Sequence, residues 1–244
     1  MTEPLLVYAR QEHLAPGAAR SVELIAEWAR PAEGALLVDA AAAKGEAACT
    51  LAGRFACRVL ALETYDPFVH YAAAKAWHWN LRDLVTVARG RGERLPLPDA
   101  SCDTAYCLGA PAIDGIEECL AELARVVKPR GYVFLSNAVW RVKPRPEQDG
   151  EWGWLDRLAP RLSAAEHVIL LADHRLAVPE VLFHDRAAWE ERWRPMLHVA
   201  GEAKTSQPAD VDLAFEIESM VDAERRAVDA YLDYVTFWAR KPQR

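Results

Sequence analysis

Residues 35–63 read ALLVDAAAAKGEAACTLAGRFACRVLALE, and the order of patterns within them decides the fold. Ala35–Ala40 is a continuous apolar run, as expected for a strand covered on both faces. Glu46–Phe55 has a helical pattern, and Cys57–Glu63 is a second apolar strand. A strand, a helix and a strand in that order form a crossover that lays the two strands parallel.

The rhythm continues on both sides. Upstream, Ser21–Ala29 puts Leu24, Ile25 and Trp28 on one helical face, and Pro31 closes the helix. Downstream, Pro67–Trp79 reads as a helix with Pro67 in its first turn, and Leu84–Ala88 as a third strand. Asp103–Gly109 is a fourth strand, Ile116–Val127 a helix and Tyr132–Ser136 a fifth strand. Beyond Asn137 the pattern changes: Val142–Asp149 is rich in proline and charge, and Trp152 and Trp154 follow. Ser163-Ala-Ala-Glu166 is a capping box opening a helix through Leu171. Pro179–His184 is a short strand, Asp185 caps a helix carrying Trp189 and Trp193, Val211–Tyr231 is helical, and Tyr234–Arg240 alternates like a last strand. The prediction is an α/β fold, doubly wound, with a mostly parallel seven-stranded sheet and helices on both faces.

Composition narrows the function classes. The 244 residues are 52% hydrophobic and 27% charged, which suits one substantial globular domain and excludes disorder or coiled coil as the main state. The net charge of −7 argues against a phosphate-tracking surface, so nucleic acid is not an expected partner. The basic cluster Arg89-Gly-Arg-Gly-Glu-Arg94 is short and reads as a solvated loop. No apolar run is long enough to span a membrane, and the N-terminus lacks a basic and then apolar stretch, so a cytoplasmic location is expected. Five cysteines without a Cys-x-x-Cys pair, and seven scattered histidines, predict neither a disulfide framework nor a metal site.

In an open parallel sheet, ligands bind beyond the carboxyl ends of the strands, where the strand order reverses. Asp39 ends the first strand and Glu63 the second, 24 residues later. A carboxylate in the second place can accept hydrogen bonds from both hydroxyls of a ribose; its bland alternative is an ordinary strand-end carboxylate.

At these residues the chain resembles the class I S-adenosylmethionine-dependent methyltransferases (type 11-like), closely over about residues 20–137 and in layout beyond. Val38-Asp-Ala-Ala-Ala-Ala-Lys-Gly-Glu46 is similar to that family's first motif, an Asp followed by Gly-x-Gly-x-Gly. Ala61-Leu-Glu63 matches its ribose-binding strand end. Leu95-Pro-Leu-Pro-Asp-Ala-Ser-Cys-Asp103 and Val127-Lys-Pro-Arg-Gly131 resemble the segments before its fourth and fifth strands. The resemblance implies a Rossmann-like methyltransferase fold with S-adenosylmethionine as cofactor, held around Asp39, Ala41, Ala43, Gly45, Glu63, Arg91, Glu93 and Gly109. It divides the chain into an N-terminal helical cap over 1–30, a cofactor-binding core over 31–139, and a helical, Trp-rich region over 140–244 that returns to the sheet.

Two departures matter. Alanine replaces the family's first two glycines at 41 and 43, and each extra methyl in a tight site costs ~1–3 kcal/mol. Exchanging both for glycine is expected to tighten cofactor binding and to cost ~0.5–1 kcal/mol of stability per site. Arg91 stands where the family has an acidic residue for the adenine amino group; it has only donors, and Glu93 is the substitute if the loop is rearranged. The implied activity is in-line methyl transfer to a small molecule, which depends on alignment and needs no catalytic triad. The alternative is a fold retained without methyl transfer, binding another ligand or serving as a structural or regulatory partner.

On the substrate side, Tyr8, His13, Trp140, Trp152 and Trp154 fall where the family places its acceptor, as does Gly109-Ala-Pro111 after the fourth strand. The tryptophans are packing residues on the blander reading. No base is assigned beyond His13, whose type titrates near neutrality, and Tyr8. The long C-terminal helices suit either a homodimer interface or a cap on their own sheet.

Overall fold

The computed structural model describes residues 4–109, 115–143, 162–206 and 211–243. β1 (Leu36–Asp39) and β2 (Arg58–Glu63) run parallel, with Leu36 beside Arg58 and Asp39 beside Ala61. Between them crosses α3 (Glu46–Phe55), entered through Gly45 and left through Ala56, both in left-handed conformation. α4 (Asp66–His78) leads to β3 (Val85–Arg89) outside β2. β4 (Cys102–Leu108) lies on the other side of β1, followed by α5 (Ile116–Val126) and β5 (Val127–Trp140). The chain then forms α6 (Ala164–Asp173), β6 (Ala177–His184), α7 (Arg186–Ser206), α8 (Val211–Ala230) and β7 (Leu232–Arg240).

The seven strands lie in the order β3-β2-β1-β4-β5-β7-β6, with β7 antiparallel to both neighbours. The α/β class, the strand count and the mostly parallel sheet agree with the sequence. Chain order reverses between β1 and β4, which places the ligand cleft at their carboxyl ends.

Period-two alternation divides the core between two faces. Val38, Val133, Leu135 and Phe237 point to one side, under Leu120 and Leu123 of α5 and Leu171 of α6. Leu37, Phe134 and Trp238 point to the other, under Ile25, Leu51 and Ala76. A third cluster joins α7 and α8 to the ends of β5 and β7 through Trp140, Trp189, Trp193, Ile217 and Tyr234. Trp140 is therefore a packing residue. Trp152, Trp154 and Pro111 lie outside the described residues.

Two local expectations are revised. The N-terminal region is less helical than read: a turn at Pro4–Val7 (α1) and a helix at Ala18–Trp28 (α2) flank an irregular strap, residues 8–17. Trp28 does not join its helix's buried face; it is 43% exposed and rests its ring on Trp238, 5.5 Å between centroids. The capping box forms as predicted, with Ser163 Oγ accepting from Glu166 N at 3.3 Å and Ser163 N donating to Glu166 Oε2 at 2.6 Å.

The Leu95–Asp99 segment serves structure. Arg125 of α5 donates to the Leu95 and Leu97 carbonyls and to Asp99, while Leu95 N donates to Glu122. No helix among the described residues is long and apolar enough to cross a membrane.

Candidate functional site

The β1–α3 loop closes over the end of the sheet by satisfying its own backbone. Ala40 N donates to the Tyr106 carbonyl and Ala42 N to the Leu62 carbonyl, both at 2.8 Å. Ala41 N donates to Asp39 Oδ1 at 3.2 Å, and Ala43 N to Glu63 Oε2 at 2.8 Å. Asp39 is buried, and desolvation pushes its carboxyl up to about 7 against the bonds it receives. It supports the loop from beneath. Ala43 holds a left-handed φ of 45°, which costs an L-residue ~1–2 kcal/mol, whereas Ala41 stays at negative φ. Gly45, at φ 77°, is glycine for a packing reason as well: a Cβ there would stand 2.8 Å from the Cβ of Ala72, so its absence lets α4 close on the loop.

The residue that sequence reasoning missed is Lys44. Its side chain is buried, and Nζ donates to the carbonyls of Gln11 (2.6 Å), Ala9 (3.3 Å) and Tyr8 (3.4 Å) while lying 4.4 Å over the Tyr71 ring. A single charge inside an alanine run was the available signal. Lys44 latches the N-terminal strap onto the loop, and a second tie follows from Lys75 of α4, which pairs with Glu12 and Glu46.

Glu63 and Glu93 are the acceptors at the outer half of the site. Glu63 Oε1 receives Thr64 N and Tyr65 N at 2.8 and 2.9 Å, and among the described residues Oε2 receives only Ala43 N. One acceptor position on Oε2 stays open. The turn after β3 doubles back, with Arg94 N donating to the Arg91 carbonyl at 3.2 Å. This turns Arg91 outward, its side chain 60% exposed, and Glu93 inward at 23%. Arg91 pairs with Glu93 Oε1, while Oε2 is buried and has no hydrogen-bond partner among the described residues. Arg91, expected at the cofactor, instead points outward and pairs with the Glu93 carboxylate.

The strap covers the β4 end of the cleft. A Cβ on Gly109 (φ 97°) would stand 2.5 Å from the Cβ of Ala15 and 3.2 Å from the Tyr234 hydroxyl, so glycine permits this closure. Tyr8 is engaged in holding it: its hydroxyl accepts from Arg192 Nη2 at 3.2 Å. Arg192 is buried against Glu224, which also accepts from Trp193 Nε1 at 2.7 Å. His13 lies on the strap with Glu12, Glu46 and Glu191 acting on it electrostatically; burial nevertheless lowers its pKa, so it is a neutral imidazole at neutral pH. The structure thus brings Asp39, Ala41, Ala43, Gly45, Glu63, Glu93 and Gly109 to one edge, with His13 and Tyr8 on the lid above.

Residues 38–135 match a family model described as a methyltransferase domain, and the resemblance read from the sequence is borne out. No curated protein matches the sequence significantly. The whole fold is similar to a SAM-dependent methyltransferase from Geobacter sulfurreducens, solved with S-adenosyl-L-homocysteine: 20% identity, TM-score 0.78, covering 98% of this chain and 97% of that one. A phosphoethanolamine N-methyltransferase 2 from Haemonchus contortus, solved with phosphomonomethylethanolamine and S-adenosylhomocysteine, is 16% identical with a TM-score of 0.78, covering 98% of this chain and 56% of that one. A (4+2)-cyclase is 21% identical with a TM-score of 0.72, covering 92% and 81%. At these identities the likeness is one of fold, and the fold carries more than one reaction.

Proposed function

We propose that this chain, whose residues 38–135 match a methyltransferase domain, is of the class I, S-adenosylmethionine-dependent kind, binds S-adenosylmethionine and transfers its methyl group to a small molecule. The observation that carries this reading is the buried Glu93 Oε2, without a partner among the described residues, on the same edge as the open acceptor position of Glu63. The cofactor fits that pair: Glu63 would hold the ribose hydroxyls and Glu93 would accept from the adenine amino group. When bound, the cofactor supplies an electrophilic methyl on a sulfonium.

The chain's own part is alignment and exclusion of water. The loop presents a preformed floor, Gly109 lets the strap close over the β4 end, and the strap latched by Lys44 forms a lid. The net charge of −7 favours a small acceptor over nucleic acid.

Titration calorimetry with S-adenosylhomocysteine tests this reading. Wild type should bind, and Glu63→Ala and Glu93→Gln should each weaken binding about tenfold, roughly 1.4 kcal/mol. Equal affinity in all three proteins rejects the assigned roles. A second reading, in which the fold persists without methyl transfer, draws support from the loop's self-satisfied N–H groups and the methyl at Ala43. Failure of the wild type to bind decides for that alternative.

A further inference from the structure

Between the strap, the start of α2 and α7 lies a cleft of about 190 Å³, with walls that include Gln11, His13, Ala15, Ala18, Glu191 and Pro195. Its uncommitted polar atoms are predominantly acceptors. Gln11 is 2% exposed, and its Nε2 donates to the Arg192 carbonyl at 2.9 Å. That bond fixes the orientation of the amide and leaves Oε1 as an acceptor, buried and without a partner among the described residues. Such an atom is costly to leave unmatched. Pro195 interrupts α7 and has no N–H, so the Glu191 carbonyl loses its usual helical donor on the same wall. The Glu191 carboxylate forms no ion pair among the described residues, in contrast to the cations around it. Arg192 is spent on Glu224, the Leu14 carbonyl and Tyr8, Arg10 on Glu202, and Lys75 on Glu12 and Glu46.

We propose that this cleft binds a small organic ammonium, a primary or secondary amine of a few heavy atoms, with Gln11 Oε1 and Glu191 as its acceptors. The charge is complementary because the Glu191 carboxylate has no ion pair among the described residues, while Arg10 and Arg192 are paired with Glu202 and Glu224 and the Lys44 ammonium is occupied by the carbonyls of Tyr8, Ala9 and Gln11. The size is matched by a volume that holds several water molecules. Ala15 forms both a wall of this cleft and the cover over Gly109, so the amine would sit across the strap from the proposed methyl-donor site. Its binding does not depend on the cofactor.

The test is calorimetry of the full chain with n-butylammonium, butanol and butyrate as cationic, neutral and anionic probes of one shape. The ammonium should bind saturably, about tenfold tighter than butanol, and butyrate should not bind. Glu191→Gln and Gln11→Met should each weaken the ammonium by about fivefold or more, and the His13 imidazole resonances should shift as the ammonium is added. Absence of ammonium binding, equal binding of butanol, or unchanged affinity in both variants overturns the proposal. Should Gln11→Met fail to fold, Glu191→Gln decides alone, since it alters an exposed side chain.

Discussion

A single torsion reverses one expectation about the loop. By composition, glycine at 41 and 43 should cost stability at both sites. The left-handed φ of 45° at Ala43 gives the opposite sign there, because glycine adopts that conformation without strain. Ala43→Gly should stabilise the fold by about 1 kcal/mol, raising the melting temperature by roughly 2–4 °C. Ala41→Gly, at negative φ, should lower it by about half to the same amount. Scanning calorimetry on the two single variants checks this, and shifts of the same sign would contradict the torsional account. The same residues show what was legible in the sequence. Glu63 stood out because a strand end fixes where its side chain goes. That Glu93 rather than Arg91 turns inward was legible only as a condition on the loop, because it depends on a turn that doubles back within four residues. The charge of Lys44 was visible inside its alanine run but its role was not, because its partners are the carbonyls of Tyr8, Ala9 and Gln11, which carry no side-chain signal.

Between elements, the strap is held by contacts distant in sequence. Lys44 ties it to the β1–α3 loop, and Arg192 with Glu224 ties it to α7 and α8. Glu224→Gln should cost about 3–5 kcal/mol, because it leaves the Arg192 guanidinium buried without its counter-charge. Chemical denaturation would measure it, and a loss under 1 kcal/mol would mean that the pair relaxes into solvent. Lys44→Met keeps the apolar stem and removes the ammonium, so residues 8–11 should lose their anchor while the sheet remains intact. Faster amide exchange at Ala9 and Gln11, with unchanged exchange in β1 and β4, is the expected pattern. The Ser163 capping box was legible because its bonds span three residues. The strap read as helix because its long-range ties leave no local periodicity to set against the helix that follows it.

At the scale of the molecule, the strand–helix alternation carried the fold, since each crossover permits essentially one hand and each strand buries both faces. The place of β7, antiparallel between β5 and β6, came from pairing partners far apart in the chain. That two-sided burial also sets the pH response. His167 on α6 is neutral in the fold: Nδ1 donates to the Ser163 carbonyl at 2.8 Å, and Nε2 accepts from Asn137 Nδ2 at 3.2 Å. Burial lowers the pKa of His13, His167 and His184, so the folded chain binds fewer protons than the unfolded one as pH falls below about 6.5. Their contribution to stability is lost on acidification. Asp39 acts in the other direction. Its folded pKa of about 7 exceeds the ordinary 3.8, so between those values the folded chain holds the extra proton and stability falls as pH rises. Asp39→Asn separates the two slopes, because it keeps an acceptor for Ala41 N and removes the titration. The variant's melting temperature relative to wild type should climb from about pH 4 to about pH 7, by the equivalent of a few kcal/mol, and stay level above that. The acid-side loss should persist in both proteins, since the histidines are untouched. A difference between the two that stays constant across the range would show that Asp39 is already ionised within the fold.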